Sequence, residues 1–115
     1  KRYGTIYSVV FFDIDHFKQV NDTYGHKKGD KVLIELGKLV SQNIRKSDVF
    51  GRWGGEEFLI ICPKTKVEEA KQSAEKLRGL IERYNFDEQF VCPITCSFGV
   101  TEYKYGDNSE TIVKR

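Results

Sequence analysis

Ile6-Tyr7-Ser8-Val9-Val10-Phe11-Phe12-Asp13 is the stretch on which the fold turns. β-Branched and aromatic residues fill it with almost no polar alternation, the pattern of a strand covered on both faces. It predicts a central strand that ends in an acid. Beyond it, Phe17 and Val20 begin a short helix, which Asn21-Asp22-Thr23-Tyr24-Gly25-His26 is expected to break. A periodic apolar segment then starts near Asp30 with Val32, Leu33, Leu36, Leu39, Val40 and Ile44. That spacing predicts an amphipathic helix of about four turns.

Val49–Trp53 and Phe58–Cys62 are short apolar stretches separated by Gly54-Gly55-Glu56-Glu57. A Gly-Gly pair supplies the positive φ angles of a tight turn, so the segment reads as a β-hairpin with an acidic tip. Val67, Ala70, Ala74, Leu77, Leu80, Ile81 and Tyr84 recur at helical spacing opposite a mixed-charge, solvated face, as in a core-packing helix. Phe90 to Tyr105 is β-rich, enough for one or two strands, with Gly99 marking a bend or bulge. Glu110 to Arg115 reads as the opening of a further helix. The order strand, helix, helix, hairpin, helix, strand implies an α/β (α+β) domain, a mainly antiparallel sheet with helices packed on it.

The 115 residues fit one domain, and no repeat or linker divides them. The net charge of +2 gives no bulk drive towards nucleic acid or anionic membrane. No apolar run approaches the ~20 residues of a membrane span. The N-terminus, Lys-Arg-Tyr-Gly-Thr-Ile-Tyr, has positive charge but no apolar core and no cleavage site of an export signal, so a cytoplasmic domain is expected. Cys62, Cys92 and Cys96 are odd in number and have no nearby histidine, and they read as structural thiols rather than a disulfide framework or zinc site.

The chemistry concentrates in acids at strand ends, Asp13 and Asp15 after the first strand and Glu56 and Glu57 at the hairpin tip. Four carboxylates converge only around positive charge, and Mg²⁺ suits hard oxygen ligands shared with a nucleoside triphosphate. Each piece alone also has a plain reading, a helix-capping Asp-x-Asp and a solvated Glu-Glu. Gly54 and Gly55 would let the backbone approach a phosphate, and Lys18 could add a phosphate contact. Asn21 and Asp30 flank a Gly-His-x-x-Gly loop. A carboxylate matches the adjacent N–H donors of guanine and an amide its neighbouring edge, although an Asx-turn and a helix N-cap are the local alternatives. Arg45 and Asp48 stand at the end of the long helix, where a basic residue also complements the helix dipole.

Phe12-Asp13-Ile14-Asp15-His16-Phe17-Lys18, Asn21-Asp22-x-Tyr24-Gly25-His26-x-x-Gly29-Asp30, Arg52-x-Gly54-Gly55-Glu56-Glu57-Phe58 and Thr95-x-Ser97-x-Gly99-Val100 together resemble the GGDEF family of bacterial diguanylate cyclases, in its GGEEF form. The four ordered motifs span residues 12 to 100. The resemblance implies a fold akin to nucleotidyl cyclases and polymerase palms, and condensation of two GTP into cyclic di-GMP with release of two pyrophosphates.

By position, it implies that Asp13, the carbonyl of Ile14 and Glu56 ligand two Mg²⁺ or Mn²⁺ ions per half-site. Glu57 becomes a further metal ligand or the base for the attacking 3′-hydroxyl, the roles of Glu56 and Glu57 being interchangeable at this level. Asn21 and Asp30 read guanine, and the Phe17 backbone, Lys18, His26, Gly54 and Gly55 lie close to substrate. One GTP per subunit implies a homodimer as the catalytic species.

Arg45 and Asp48 fall where the family binds its product, cyclic di-GMP, as an inhibitor, with Lys76 or Arg78 open as a second basic contact. The family's Leu-Thr-Gly-Leu-type segment before the first strand, and its Ala-Asp…Leu-Tyr-x-Ala-Lys helix after the last, have no counterpart here. Residues 1–115 are therefore expected to be a domain truncated at both ends within a longer signalling protein, with a sensory domain upstream. Whether the fragment alone is active, and whether the parent is soluble or membrane-anchored, stays open. A non-catalytic module that binds GTP or cyclic di-GMP is the alternative. A palm acting on nucleic acid would show a basic surface, which the net charge disfavours.

Overall fold

The first strand, β1 (Thr5–Ile14), buries Ser8, Val10, Phe12 and Ile14 but leaves Phe11 47% exposed. Coverage on both faces is thus corrected, because the core takes only even-numbered residues from β1. The odd-numbered residues Tyr7, Val9 and Phe11 are apolar as well, which removed the alternation that would have betrayed a one-sided strand. The computed structural model describes residues 5–105 and 110–111.

After β1 come α1 (Phe17–Tyr24), α2 (His26–Ser41), β2 (Val49–Gly54), β3 (Glu57–Pro63), α3 (Val67–Arg83), β4 (Cys96–Tyr105) and the two-residue β5 (Glu110–Thr111). The sheet order is β2-β3-β1-β4-β5, and each neighbouring pair runs antiparallel, as the order of elements predicted. β1 is central, hydrogen-bonded to β3 on one side and β4 on the other. Its last residues are therefore fixed from both sides.

Several boundaries differ from expectation. Asn21 to Tyr24 continue α1 instead of breaking it, and the stop comes at Gly25, whose φ of 94° lies in the region that favours glycine. The Gly25 N–H bonds the Asn21 carbonyl at 2.8 Å. Starting at His26, α2 places Asp30 inside the helix rather than at its N-cap. It ends at Ser41, so Ile44 and Arg45 lie beyond it. Residues 90–95 form no strand, which leaves β4 as the single long strand of that region. Glu110 and Thr111 are strand, not helix, and residues 112–115 lie outside the described residues.

α2 and α3 supply the other half of the core. Val32, Leu36 and Val40 are fully covered, each worth about 1.5–3 kcal/mol relative to exposure. Ala70, Ala74, Leu77 and Ile81 do the same for α3. A carboxylate from β4, the buried Glu102, accepts the first N–H of α3, from Val67, at 2.8 Å. Negative charge there complements the helix dipole. Cys62 and Cys96 are buried in this core, whereas Cys92 is exposed and lies outside it.

Candidate functional site

At the end of β1 the register sets Asp13 directly opposite Glu57 of β3 and Ser97 of β4. Odd positions of β1 and β3 share the open sheet face, so two carboxylates stand side by side on it. Like charges directly opposite in an antiparallel pair destabilise it. Both acids line a cavity of about 550 Å³ on that face, with Ser97, Trp53, Phe11 and Leu59 among the other walls. The Ile14 N–H bonds the Glu56 carbonyl at 3.2 Å, tying the hairpin tip to the strand end. Asp13, Ile14, Glu56 and Glu57 thereby belong to one corner.

Asp15 does not join them. Its two oxygens accept hydroxyls from Thr95 (2.7 Å) and Ser97 (2.5 Å), and its N–H bonds the Thr95 carbonyl at 2.9 Å. The expected convergence of four carboxylates is corrected to a corner without Asp15, which instead fastens β4 to the turn after β1. Among the described residues, no group of three or more His, Cys, Asp or Glu side chains is drawn together around one point. The oxygen-only donors of Asp13 and Glu57, with the Ile14 carbonyl at the strand end, still fit a hard divalent cation, which would relieve their opposition. The nearby Cys96 thiol is pushed up to about 12 by burial, with Asp15 and Asp13 adding to it, so it stays protonated.

The hairpin tip departs from the tight-turn reading, since neither Gly54 nor Gly55 has a positive φ among the described residues. Gly55 and Glu56 form the turn, and the β2–β3 register shifts between Arg52 and Gly54. Trp53 is the extra residue of that bulge and stands 74% exposed. Arg52 braces the turn by donating from Nε to the Gly55 carbonyl at 2.8 Å. A Cβ on Gly55 would meet nothing within 4 Å. Backbone packing therefore does not demand glycine there, and the space is open to a ligand.

Two residues beyond Ile14, His16 adopts a left-handed conformation (φ 57°) and turns the chain into α1. Phe17 and Asn21 of α1 both lean on Gly29 of α2: a Cβ there would lie 1.8 Å from Asn21 Oδ1 and 3.4 Å from the Phe17 ring. Gly29 is the residue before Asp30, so the Asn21 amide and the exposed Asp30 carboxylate share the α1–α2 corner. Lys18 and His26 are exposed on the same two helices. Neither Asn21 nor Asp30 lines the cavity holding Asp13 and Glu57, so the two corners form an open surface rather than one enclosed pocket.

Arg45 and Asp48 sit apart from both corners. They line a cavity of about 500 Å³ with Thr65, Gln72 and Lys76. The Arg45 guanidinium bonds the Thr65 hydroxyl and Asp48, and Asp48 accepts the Arg45 N–H at 2.9 Å. Arg78 faces elsewhere, paired with Glu75 and Glu82, so of the two basic candidates only Lys76 shares this cavity.

Sequence reasoning missed Gly29 as the seat of Asn21, Thr95 and Ser97 as the anchors of Asp15, and Gly99. A Cβ on Gly99 would fall 2.4 Å from the Phe11 ring, so this glycine clears room for a cross-strand aromatic, and the expected bulge is absent from a continuous β1–β4 register. A small residue opposite a large one in an unshifted register was the only available signal.

No helix among the described residues is long and apolar enough to cross a membrane. The whole chain, residues 1–115, matches the family described as diguanylate cyclase, GGDEF domain. It is 39% identical over 116 residues to the diguanylate cyclase VdcA of Vibrio cholerae, covering 97% of this chain and 34% of that protein. The active GGEEF domain of a diguanylate cyclase from Vibrio cholerae superimposes with a TM-score of 0.81 at 40% identity, over 90% of this chain and 66% of that one. The GGDEF domain of DgcB from Caulobacter crescentus, solved in complex with c-di-GMP, gives 0.77 at 29% identity, over 85% of this chain and 60% of its own. The chain spans about a third of the length of VdcA. With the strand-end acids, the GGEEF turn and the α1–α2 corner in their family order, the chain belongs to the GGDEF domain family of the diguanylate cyclases.

Proposed function

We propose that the protein containing this chain is a diguanylate cyclase that condenses two GTP into cyclic di-GMP and two pyrophosphates. The observation that carries this reading is the Asp13–Glu57 pair, two carboxylates opposed on the open face at the end of β1, followed along the chain by a second corner suited to guanine. Asp13, the Ile14 carbonyl and one of Glu56 and Glu57 would hold Mg²⁺ or Mn²⁺, two per half-site. Such ions neutralise α-phosphate charge and lower the pKa of the attacking 3′-hydroxyl.

Asp30 accepts the adjacent N–H donors of guanine and the Asn21 amide bonds its neighbouring edge, a pattern adenine does not match. The Phe17 backbone, Lys18 and His26 lie towards the phosphates, and the unfilled space beside Gly55 admits them to the backbone next to Gly54. Whichever of Glu56 and Glu57 is not engaged as ligand takes the 3′-hydroxyl proton. Each chain supplies one half-site, so the active species is a homodimer. Arg45, Asp48 and Lys76 form a cavity that suits an anionic dinucleotide, and product inhibition through it is part of the same reading.

The test is turnover of GTP with Mg²⁺ by the full-length protein, with the product identified by mass. Cyclic di-GMP from GTP and no product from ATP are expected. Tight GTP or cyclic di-GMP binding without turnover, in a verified dimer, overturns the enzyme in favour of a binding module.

A further inference from the structure

Asn21 and Asp30 lie on two helices joined through a single residue, Gly25. α1 carries no fully buried residue and rests on the core through Phe17 and Val20 alone. Such a corner needs a second attachment if its two side chains are to keep a fixed spacing.

The segment after α3 supplies it from both sides of Gly25. On the α2 side, Asp87 Oδ2 accepts from Lys28 Nζ at 2.9 Å and from Lys31 Nζ at 3.4 Å. On the α1 side, the Tyr24 hydroxyl accepts the Val91 N–H at 3.1 Å, and its ring lies 4.6 Å from that of Phe90. An exposed ion pair would contribute little. Asp87, however, is only 11% exposed, and its other oxygen accepts the Gln89 N–H at 2.8 Å. The adjacent Phe86 is sunk in the core. The carboxylate is thus a fixed point of the fold, and Lys28 hangs on it one residue before Gly29 and two before Asp30.

We infer that Asp87 is a positioning residue for nucleobase recognition, holding the α1–α2 corner through Lys28 so that the Asn21 amide and the Asp30 carboxylate meet one base edge together. The inference rests on the assignment of Asn21 and Asp30 to guanine. It adds a determinant of base specificity that touches neither substrate nor metal.

Steady-state initial rates of the full-length protein with GTP and with inosine triphosphate, which lacks the 2-amino donor, test it. Asp87→Asn should raise KM for GTP by about 3- to 10-fold, leave kcat within about twofold and raise KM for inosine triphosphate less, so that the preference for GTP shrinks. Asp87→Glu, which keeps a carboxylate for Lys28, should retain more of that preference than Asp87→Asn. Tyr24→Phe, which keeps the ring and removes only the acceptor for Val91, should narrow the preference in the same direction, and serves where the first variant fails to fold. A GTP preference unchanged in Asp87→Asn and Tyr24→Phe, or a fall in kcat at constant KM, overturns the inference while leaving the cyclase reading intact. A wild-type protein that neither binds nor turns over GTP overturns both.

Discussion

Gly29→Ala separates the chain's need for a helix from the site's need for a vacancy. Gly29 lies in the interior of α2 with an ordinary helical φ, so alanine suits its backbone and gains about 0.8–1.0 kcal/mol of helix propensity. The added Cβ would sit 1.8 Å from Asn21 Oδ1 and 2.9 Å from its Cγ, closer than the 3.0 Å that real contacts respect. The Asn21 side chain must therefore retreat by at least about 1.2 Å. It belongs to a helix with no fully buried residue, so its retreat costs no more than an off-rotamer strain of about 0.5–1.5 kcal/mol. The two terms nearly cancel, and stability should stay within about 1 kcal/mol of wild type. GTP binding should not survive as well. Losing one or two hydrogen bonds to the base costs about 1–3 kcal/mol, roughly 5- to 150-fold in Kd. Urea denaturation and titration calorimetry with GTP measure the two sides. In a double-mutant cycle, Gly29→Ala added to Asn21→Ala should weaken binding no further than Asn21→Ala alone. Full GTP affinity in Gly29→Ala, or additive losses in the cycle, would refute the claim that Gly29 exists to seat Asn21.

In metal-free buffer, Asp13→Asn should raise unfolding stability by about 0.2–1 kcal/mol in urea by removing a like charge opposite Glu57, while abolishing turnover; a loss of stability would mean that the two acids do not oppose each other. A disulfide thiol reagent at pH 8 should label one thiol fast, the exposed Cys92, and leave Cys62 and Cys96, pushed up to about 11 and about 12 by burial, until the chain unfolds. Rapid modification of three thiols in the native state would contradict their burial. The Lys28 hydrogen bond, with that of Gln89, holds the Asp87 carboxyl down to about 2 from a usual 3.8, so the latch is fully present above pH 3.8 and is lost as pH falls towards 2. Carboxyl ¹³C shifts of Asp87 followed by NMR should titrate at the low end of that window, and a midpoint near 3.8 would show that the latch is not formed.

The parts of the fold set by composition and period were open to reading in the sequence. The strand ending in Asp13, the helix from Val67 and the antiparallel hairpin all follow from residue choice over several turns or strand lengths. The failures have local causes. Asn21 and Asp22 signal turns, yet they complete the last turn of α1, and the chain is released only at Gly25, which can take a positive φ. Gly54-Gly55 signalled positive φ, but the turn falls on Gly55 and Glu56 without one, and the register shifts at Trp53 instead. Asp15 was grouped with the metal acids because spacing alone cannot distinguish a side chain on the open face from one captured by two hydroxyls some eighty positions away. The role of Asp87 depended on a contact 59 residues distant, which no local pattern encodes.

The two corners also differ in what holds them. Asp13 and Ile14 end a strand bonded on both sides, and Glu57 opens the next, so the acidic corner inherits the rigidity of the sheet centre. Charge neutralisation of a phosphoryl transition state requires such preorganised placement. The α1–α2 corner has no buried residue on α1, a glycine at its joint, and attachments that run through side chains, namely Phe17 and Asn21 on Gly29, Tyr24 on Phe90 and Lys28 on Asp87. Segments with few buried contacts open locally at low free energy, which suits the base-admitting surface proposed for this corner. Damage should divide along the same line. Substitutions at the strand end act on kcat with the fold intact, whereas those at the helix corner and its clamps act on KM and on the choice of base. A protein in which the clamps changed kcat alone would have its recognition and chemistry built into one rigid unit, contrary to the packing described.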